Sequence, residues 1–519
     1  MSTPIPVNAA QFSLSEVLEA TGGALVGEAP APGVCAHSVV TDSRAALRGA
    51  LFVALKGERF DAHRFLADVA ERGAAMALVE QPHPQPWPRG EMLQVQVPCT
   101  LTALGDLARF HRRRWGGLVV AVAGSAGKTT TKGCVAGALE AVVPGGIHSA
   151  RGNLNNRVGA PMVLLGVNHQ HQVAVLELGT NLRGEVAELT RICQPDVGVL
   201  TLIDFEHTEG IGDLDAIEAE EGDLLRGLPA DGVALGNADD QRVVRQLRAA
   251  TQCLALGYGS AETARYRLLS RQVQGLSGAR LVVQRPALSR APGGGCGSLA
   301  DAPLRAEELD SPLIGYPGAL ASLAALATCD VISQKLGRPA PSAASVSQAL
   351  ARAAVAESGR LSPKLMLDGG LVLDDSYNSN PGSVLSSLSV ARELASARGA
   401  RLLAVLGEML ELGPLSQREH QRVGQALGEF GLSRLIAVQG DAARLASEAT
   451  SLNIPAEFVE DSAGALQRCL AWVEPGDVIL VKGSRGVRLE RVVEGLISPR
   501  SAGDNPEASA ERAPTAGRP

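Results

Sequence analysis

The stretch best suited to chemistry is a short glycine loop near residue 125. It reads GSAGKTT over 124–130, between an apolar, strand-forming run at 118–123 and a helix-compatible segment at 131–142. Glycine lets backbone N–H groups approach phosphate oxygens, and the start of a helix adds partial positive charge. Lys128 can reach β- and γ-phosphates, and the Thr129 hydroxyl can bind Mg²⁺. The order strand, loop, helix therefore predicts a phosphate site.

The loop is shorter than the full G-x-x-x-x-G-K-[ST] motif, because Val122 stands where the first glycine would be. The alternative is an ordinary strand-to-helix turn with a chance Gly-Lys pair. We favour the phosphate site because the motif lies in the structural context that it requires.

Polar groups follow two neighbouring apolar runs. Glu177 ends the run at 173–178, and the run at 197–203 leads into Asp204-Phe205-Glu206-His207. Carboxylates at the C-terminal ends of parallel strands lie where ligands bind in open α/β sheets, and Mg²⁺ is a natural partner for a buried acid. A single histidine is usually structural, but His207 follows a strand expected to neighbour the loop. We therefore predict a metal or phosphate role for it.

Other polar segments leave two interpretations open. The segment RGNLNNRVG at 151–159 can present amides to a substrate, although turn chemistry also explains its asparagines. The acidic helix at 214–225 can be a solvated face, and so can the basic helix end at 111–114. TDSR at 41–44 can hold a ligand or cap a helix.

Composition excludes several classes of protein. The 519 residues are 45% hydrophobic and 20% charged, which predicts a globular chain of two to four domains. A net charge of −7 argues against nucleic acid as a partner. The eight cysteines show no C-x-x-C spacing, so we expect neither zinc nor disulfides. We also expect no export signal, no membrane insertion and a cytoplasmic location.

The order of elements predicts an α/β fold in three domains. Strands and helices alternate in a small N-terminal α/β domain at 1–98, a central P-loop domain with a parallel sheet at 99–357, and a C-terminal Rossmann-like domain at 358–498. The stretch at 499–519 is rich in Ala, Pro, Ser and Gly and predicts a disordered tail.

Several segments together resemble the Mur ligases, the ATP-dependent peptide-bond-forming enzymes of peptidoglycan precursor synthesis. The resemblance covers roughly residues 13–497. It rests on TDSR at 41–44, ALFVALKGERFDAHRF at 50–65, GSAGKTTTK at 124–132, GNLNN at 152–156, LELGTNLRGEV at 176–186, DDSYNSNP at 374–381, VLGEMLELGPLSQREHQRVG at 405–424 and VKGSRGVRLE at 481–490. The DDSYN, LGEMLELG and KGSR segments resemble the branch that adds D-alanyl-D-alanine.

The resemblance implies a monomeric ligase that uses ATP and Mg²⁺. Its substrates would be D-alanyl-D-alanine and UDP-N-acetylmuramoyl-tripeptide, joined through an acyl phosphate. Catalytic roles fall to Lys128, Glu177 and His207. Nucleotide contacts fall to Gly124, Ser125, Ala126, Gly127, Lys128, Thr129, Thr130, Asn237 and Asp375. Substrate contacts fall to Thr41, Asp42, Ser43, Arg44, Asn153, Asn155, Asn181, Tyr377, Asn378, Lys482, Ser484 and Arg485. Metal contacts fall to Thr129, Glu177, His207 and Glu221.

The sequence departs from the family pattern at three places. Glu221 stands in register with a lysine that is usually carbamylated, LIDFEH at 202–207 replaces a turn containing Asn and Gly, and Pro317-Gly318 replaces a His-Asn pair that helps to hold the nucleotide. We expect Glu221 to supply a permanent carboxylate that acts through water, and Glu206 or Glu218 as the source of the charge is the alternative. A degenerate, nucleotide-binding paralogue and a related amide ligase with another acid substrate are the alternatives.

Overall fold

The computed structural model describes residues 5–28, 30, 33–45, 47–57, 60–84, 91–150, 152–288, 298–353 and 358–498. The predicted tail at 499–519 lies outside these residues. The described residues form two compact units, the first within 1–357 with 411–414, and the second within 358–410 with the described part of 415–519.

The N-terminal part of the first unit is a small α/β layer. Its five-stranded sheet has the order β2-β7-β6-β5-β4, in which β2 is antiparallel to β7 and the other pairs are parallel. The strands of this sheet are β2 Ala24–Val26, β4 Val39–Val40, β5 Leu51–Val53, β6 Met76–Val79 and β7 Leu93–Gln96. Two further strands, β1 Phe12–Ser13 and β3 Cys35–Ala36, form a separate antiparallel pair. The helices are α1 Leu14–Thr21, α2 Leu66–Glu71 and α3 Thr100–Trp115.

The central part of this unit is a nine-stranded sheet with the order β16-β15-β14-β13-β12-β11-β8-β10-β9. Its strands are β8 Leu118–Ala123, β9 Ile147–His148, β10 Val173–Glu177, β11 Val197–Leu200, β12 Val233–Asn237, β13 Leu254–Gly259, β14 Tyr266–Val273, β15 Ala279–Pro286 and β16 Leu304–Ser311. The ladder is parallel from β9 to β14, and β15 and β16 add an antiparallel extension.

Helices cover both faces of the central sheet. They are α4 Lys128–Leu139, α5 Gly159–Leu164, α6 Glu185–Cys193, α7 Thr208–Ile211, α8 Leu214–Arg226, α9 Gln241–Ala249, α10 Gly315–Lys335 and α11 Ala343–Arg352. In β8, Val119 and Ala121 pack into one core cluster while Val120 and Val122 pack into another. Burial on both faces explains why this strand is a continuous apolar run.

The second unit is a six-stranded sheet with the order β17-β18-β22-β19-β20-β21, parallel except at β17. Its strands are β17 Ser362–Leu365, β18 Leu371–Asp375, β19 Leu402–Gly407, β20 Arg434–Val438, β21 Ala456–Val459 and β22 Val478–Lys482. Its helices are α12 Pro381–Arg398, α13 Ser416–Ala426, α14 Ala443–Ser451, α15 Ser462–Trp472 and α16 Glu490–Ile497. This is the predicted doubly wound, Rossmann-like arrangement.

Two helices need comment, and one expectation needs correction. The basic end of α3 is not simply solvated, because His111 and Arg112 are buried and Arg112 pairs with Asp196 at 2.9 Å. Helix α10 is long and apolar enough to cross a membrane by length and composition. However, 83% of its most apolar window is buried, as in the core helix of a globular protein.

Candidate functional site

The glycine loop joins β8 to α4 at the carboxyl edge of the central sheet. Helix α4 begins at Lys128, earlier than the predicted residue 131, so Lys128 and Thr129 lie in its first turn. Gly127 adopts φ +79° and caps the helix, and Gly124 adopts φ +126°. Both conformations favour glycine, and the first turn of a helix leaves N–H groups available for an anion.

The loop is held in place by the segment that follows β11. The Thr201 hydroxyl lies 2.7 Å from the Ala126 carbonyl and 3.1 Å from that of Ala123. The Ser125 N–H donates to the Leu202 carbonyl at 2.7 Å. A Cβ on Gly124 would lie 2.2 Å from the Thr201 hydroxyl oxygen, so the approach of these two chains requires glycine here.

Lys128 contacts Glu206, one of the polar residues that follow β11. Its Nζ lies 3.2 and 3.3 Å from the two oxygens of Glu206, whose side chain is 4% exposed. Burial alone would lower the pKa of Lys128, but the charges of Glu206, Glu221 and Glu177 outweigh burial and raise it. The lysine therefore stays protonated, as a phosphate site requires.

Glu221 projects from α8 to the same loop. It is fully buried, and one of its carboxyl oxygens accepts a 2.7 Å hydrogen bond from the Gly124 N–H. The other oxygen has no hydrogen-bond partner. Burial and the neighbouring Glu206 carboxyl raise the pKa of Glu221 to about 8. The solvated-face alternative for this helix is wrong at Glu218, Glu220 and Glu221, which are all buried.

Glu177 lies at the end of β10, as predicted, and is buried. One of its oxygens accepts a hydrogen bond from the Asn155 side chain at 2.9 Å, which links the asparagine-rich loop to this strand. The other oxygen has no hydrogen-bond partner and lies 3.7 Å from the Lys132 ammonium. Lys132, whose side chain is 5% exposed, also donates to the Gly152 carbonyl. Sequence reasoning missed Lys132, although its place one helical turn after Lys128 was a signal.

His207 precedes α7 and adopts φ +48°. Its Nδ1 lies 2.6 Å from Glu411, which belongs to the 411–414 segment of the same compact unit, and its Nε2 lies 3.9 Å from Glu206. Within the described residues, no three His, Cys, Asp or Glu side chains form a group that could hold a metal ion. Glu177, His207 and Glu221 thus do not form such a three-residue group among the described residues, and their metal roles stay predictions.

Asn237 lies buried at the end of β12, where its side-chain carbonyl accepts a 3.0 Å hydrogen bond from the Asp239 N–H. Asp239 also contacts the Tyr316 hydroxyl at 2.5 Å, at the start of α10 and beside Pro317-Gly318. This contact was not predicted, because Tyr316 is distant from Asp239 in sequence. Tyr316 directly precedes Pro317-Gly318, where the sequence lacks the expected His-Asn pair.

The remaining predicted substrate residues of the first unit lie nearer the surface. Asp42 and Arg44 are exposed and form a 2.8 Å ion pair, and the hydrogen bonds from Arg44 lower the pKa of Asp42. Thr41 and Ser43 are half-buried beside them. Asn181 is exposed, and its backbone N–H donates to Glu185 at 2.6 Å. Asn153 is half-buried.

The second unit collects its predicted residues at the carboxyl ends of β18 and β22. Lys482 donates to Asp375 at 2.7 Å and to the Asn378 carbonyl at 3.0 Å. Ser484 lies 2.9 Å from the Leu410 N–H. The Arg485 guanidinium lies 5.0 Å from the ring centroid of Tyr377. The guanidinium of Arg360, a residue that was not predicted, lies 4.4 Å from the same centroid. The predicted polar cluster is therefore assembled within this unit.

Together, the three sheets and the glycine loop define a three-domain α/β protein with a P-loop nucleotide-binding central domain. Residues 36–112 match the Mur ligase family catalytic domain, residues 122–329 match the Mur ligase middle domain, and residues 359–485 match the Mur ligase glutamate ligase domain. The chain belongs to the Mur ligase family, which confirms the predicted fold class and family. The predicted domain boundaries stay predictions.

Full-length relatives support this assignment. The chain is 32% identical over 475 residues to the UDP-N-acetylmuramoyl-tripeptide–D-alanyl-D-alanine ligase of Escherichia coli strain K12, covering 91% of this chain and 96% of the relative. It is 30% identical to the Bacillus subtilis strain 168 enzyme of the same name, covering 89% and 93%. Among solved structures, MurF from Acinetobacter baumannii matches with a TM-score of 0.78 and 28% identity over 95% of this chain and 100% of that chain.

A further solved structure is MurF ligase from Thermotoga maritima in complex with ADP. It matches with a TM-score of 0.71 and 25% identity over 88% of this chain and 96% of that chain. The chain is therefore an ATP-dependent ligase of the Mur family and is similar to its MurF members.

Proposed function

We propose that this protein joins D-alanyl-D-alanine to UDP-N-acetylmuramoyl-tripeptide with conversion of ATP to ADP and phosphate. The observation that carries the proposal is similarity over nine-tenths of the chain to ligases of that name, together with an ordered glycine loop that presents Lys128 and Thr129. The DDSYN and KGSR segments, which contribute to the polar cluster of the second unit, support the same branch. A cytoplasmic location and a monomeric state remain predictions.

The residues beside the loop fit Mg²⁺. Three buried side-chain oxygens there have no hydrogen-bond partner, namely those of Thr129, Glu177 and Glu221. Hard oxygen ligands suit Mg²⁺, which takes one or two carboxylates and completes its shell with water and phosphate oxygens. Thr129, Glu177 and Glu221 would hold the ion, which neutralises phosphate charge when bound. The unpartnered oxygen of Glu221 is compatible with direct contact to the ion and with contact through a water molecule.

The first chemical step is activation of the tripeptide carboxylate. A carboxylate oxygen attacks the γ-phosphorus of ATP, a new P–O bond forms, and the bond to the β-phosphate oxygen breaks to release ADP. Both reactants are anionic, so the step needs positive charge at the phosphates. Lys128, which stays protonated, and the N–H groups at the start of α4 supply that charge.

The second step forms the amide. The neutral amine of D-alanyl-D-alanine attacks the acyl carbon, and the carbon–oxygen bond to phosphate breaks. The amine proton leaves, and inorganic phosphate is the leaving group. In the second unit, the Arg360 and Arg485 guanidiniums against Tyr377 and the ordered Lys482–Asp375 pair offer charged groups for binding anionic substrate groups.

Oxygen tracing tests the reaction. The tripeptide substrate is labelled with ¹⁸O in the carboxylate to be activated, and the released phosphate is analysed by mass spectrometry. The proposed acyl phosphate transfers one labelled oxygen to phosphate. Unlabelled phosphate, or ADP release that does not require the UDP-linked acceptor, would contradict the proposal. Acceptors with different third residues, each with and without D-alanyl-D-alanine, define the substrate, and Lys128→Met is the inactive control.

A further inference from the structure

Two buried carboxyl groups contact the glycine loop from different elements. Glu206 follows β11 and contacts the Lys128 ammonium, and Glu221 comes from α8 and accepts a hydrogen bond from the Gly124 N–H. Glu206 is 4% exposed and Glu221 is fully buried. Lys128 contacts both oxygens of Glu206. The pair is therefore shut away from water, with one lysine as its nearby cation.

Such a pair needs positive charge nearby. Glu206 raises the pKa of Glu221, and two carboxyl groups that interact in a buried site are stabilised by a proton or by a cation, because water cannot screen their mutual repulsion. Among the described residues, one oxygen of Glu221 has no hydrogen-bond partner, and neither has the hydroxyl oxygen of Thr129 in the first turn of α4. These unpartnered oxygens indicate that the site is built for a ligand that accepts oxygen donors.

We propose that Glu206 and Glu221 together bind the divalent cation that accompanies the nucleotide, and that Lys128 covers this pair until a phosphate group takes the lysine. The proposal rests on the proposed use of ATP and adds Glu206, which departs from the family pattern. The short arm of Glu221 explains why a second carboxylate is useful. Glu206 lies in the segment that follows β11, and it brings a second carboxylate next to Lys128.

This arrangement couples metal binding to nucleotide binding through charge exchange. Without nucleotide, Glu206 competes with phosphate for the Lys128 ammonium, since both bind it through charge-assisted hydrogen bonds. Once phosphate binds Lys128, Glu206 loses its lysine and gains affinity for a metal ion. Removing the charge of Glu206 should thus tighten nucleotide binding without metal and reduce the gain in affinity that metal provides.

Calorimetric titration of the full-length protein with ADP measures both directions. One series contains EDTA and the other contains excess Mg²⁺, and the ratio of the two dissociation constants is the metal enhancement. We expect Glu206→Gln to tighten ADP binding in EDTA about threefold to tenfold, and to reduce the metal enhancement about tenfold. Effects of this size are expected when one charged hydrogen-bonding group is lost. Glu221→Gln should also reduce the enhancement about tenfold.

Glu220→Gln is the matched control. Glu220 is one residue from Glu221 and equally buried, but its oxygens accept hydrogen bonds from Thr180, Gly184 and Val186. This variant should lower the melting temperature and leave the metal enhancement unchanged. In a Lys128→Met background, Glu206→Gln should no longer tighten ADP binding in EDTA. Tightening that persists there would show that Glu206 does not act through Lys128.

A second readout counts the metal directly. Electron paramagnetic resonance measures free Mn²⁺ during titration of the ADP complex, and both glutamine variants should need about tenfold more Mn²⁺ for half-saturation. If Glu206→Gln does not fold, Glu206→Asp keeps the charge but shortens the arm, and should still tighten ADP binding in EDTA. Parental metal enhancement in Glu206→Gln and Glu221→Gln would overturn the proposal. Failure of the parent to bind ADP under either condition would instead overturn the proposed function.

Discussion

Substitution of Gly124 by alanine tests how the glycine loop is built. Gly124 has φ +126°, a region that residues with a side chain rarely adopt, and its added Cβ would lie 2.2 Å from the Thr201 hydroxyl and 2.9 Å from the Leu202 carbonyl. The backbone conformation costs about 1–3 kcal/mol. Displacing Thr201 also disrupts its two hydrogen bonds to the loop, each worth about 1 kcal/mol. We expect a total loss of about 3–5 kcal/mol.

Gly127→Ala is a control in the same loop. Gly127 also has a positive φ, +79°, but an added Cβ would meet nothing within 4 Å. The left-handed conformation alone costs about 1–2 kcal/mol. The two variants therefore separate backbone strain from the clash with the 201–202 segment, since only Gly124→Ala suffers both.

Thermal unfolding and ADP titration provide the assays. Gly124→Ala should melt at a clearly lower temperature than Gly127→Ala, and it should lose measurable ADP binding because the loop N–H groups are displaced. Thr201→Ala in the Gly124→Ala background removes the shortest clash and should recover part of the melting temperature, but the Leu202 carbonyl remains in the way. Equal melting temperatures for the two glycine variants would refute the packing argument.

Further outcomes follow from the charged groups. Lys128→Met should lower turnover by about 10²-fold or more, and it should also lower the melting temperature because Glu206 loses its lysine; an unchanged melting curve contradicts the pairing. Hydrogen bonds from Arg245 and neighbours lower the pKa of Glu218 to about 2, so this carboxylate stabilises the fold above pH 4.5 and loses that effect as the pH falls towards 2. Glu218→Gln should cost about 2 kcal/mol in urea unfolding at pH 7 and much less at pH 3, and a pH-independent difference would refute the linkage. Because the Glu221 carboxyl group does not depend on CO₂ for its formation, turnover in CO₂-depleted buffer should not respond to bicarbonate, and stimulation by bicarbonate would contradict the proposed replacement.

The sequence predicted the glycine loop well because its signals are local. The bounds of β8 at 118–123 agree with the structure, and so does the placement of Glu177 at the end of β10. The start of α4 was misplaced because the helix begins within the motif, where Gly127 caps it in a left-handed conformation. The short strands β2, β7, β9 and β21 were missed, since runs of two to four residues show too little periodicity to recognise.

The acidic helix shows where local reasoning fails. The bounds predicted for α8, 214–225, are close to Leu214–Arg226, but the burial of its glutamates was not predicted. A run of acidic residues normally favours solvent, and it is buried here because each carboxylate has partners from another part of the chain. Glu218 meets arginines of α9, Glu220 meets the start of α6, and Glu221 meets the Gly124 N–H.

These distant partners also determine what the site can do. The motif alone predicts that Lys128 is a free cation available to phosphate. In the folded chain, however, Glu206 already contacts it. A phosphate must therefore displace a carboxylate as well as water, which weakens metal-free nucleotide binding and leaves a negative charge for the metal ion. The same carboxylate would be a defect in a site that binds nucleotide alone, but it is an advantage in one that must bind nucleotide and metal together. The metal enhancement of ADP binding in Glu206→Gln, which falls only if Glu206 helps to bind the metal ion, distinguishes these two designs.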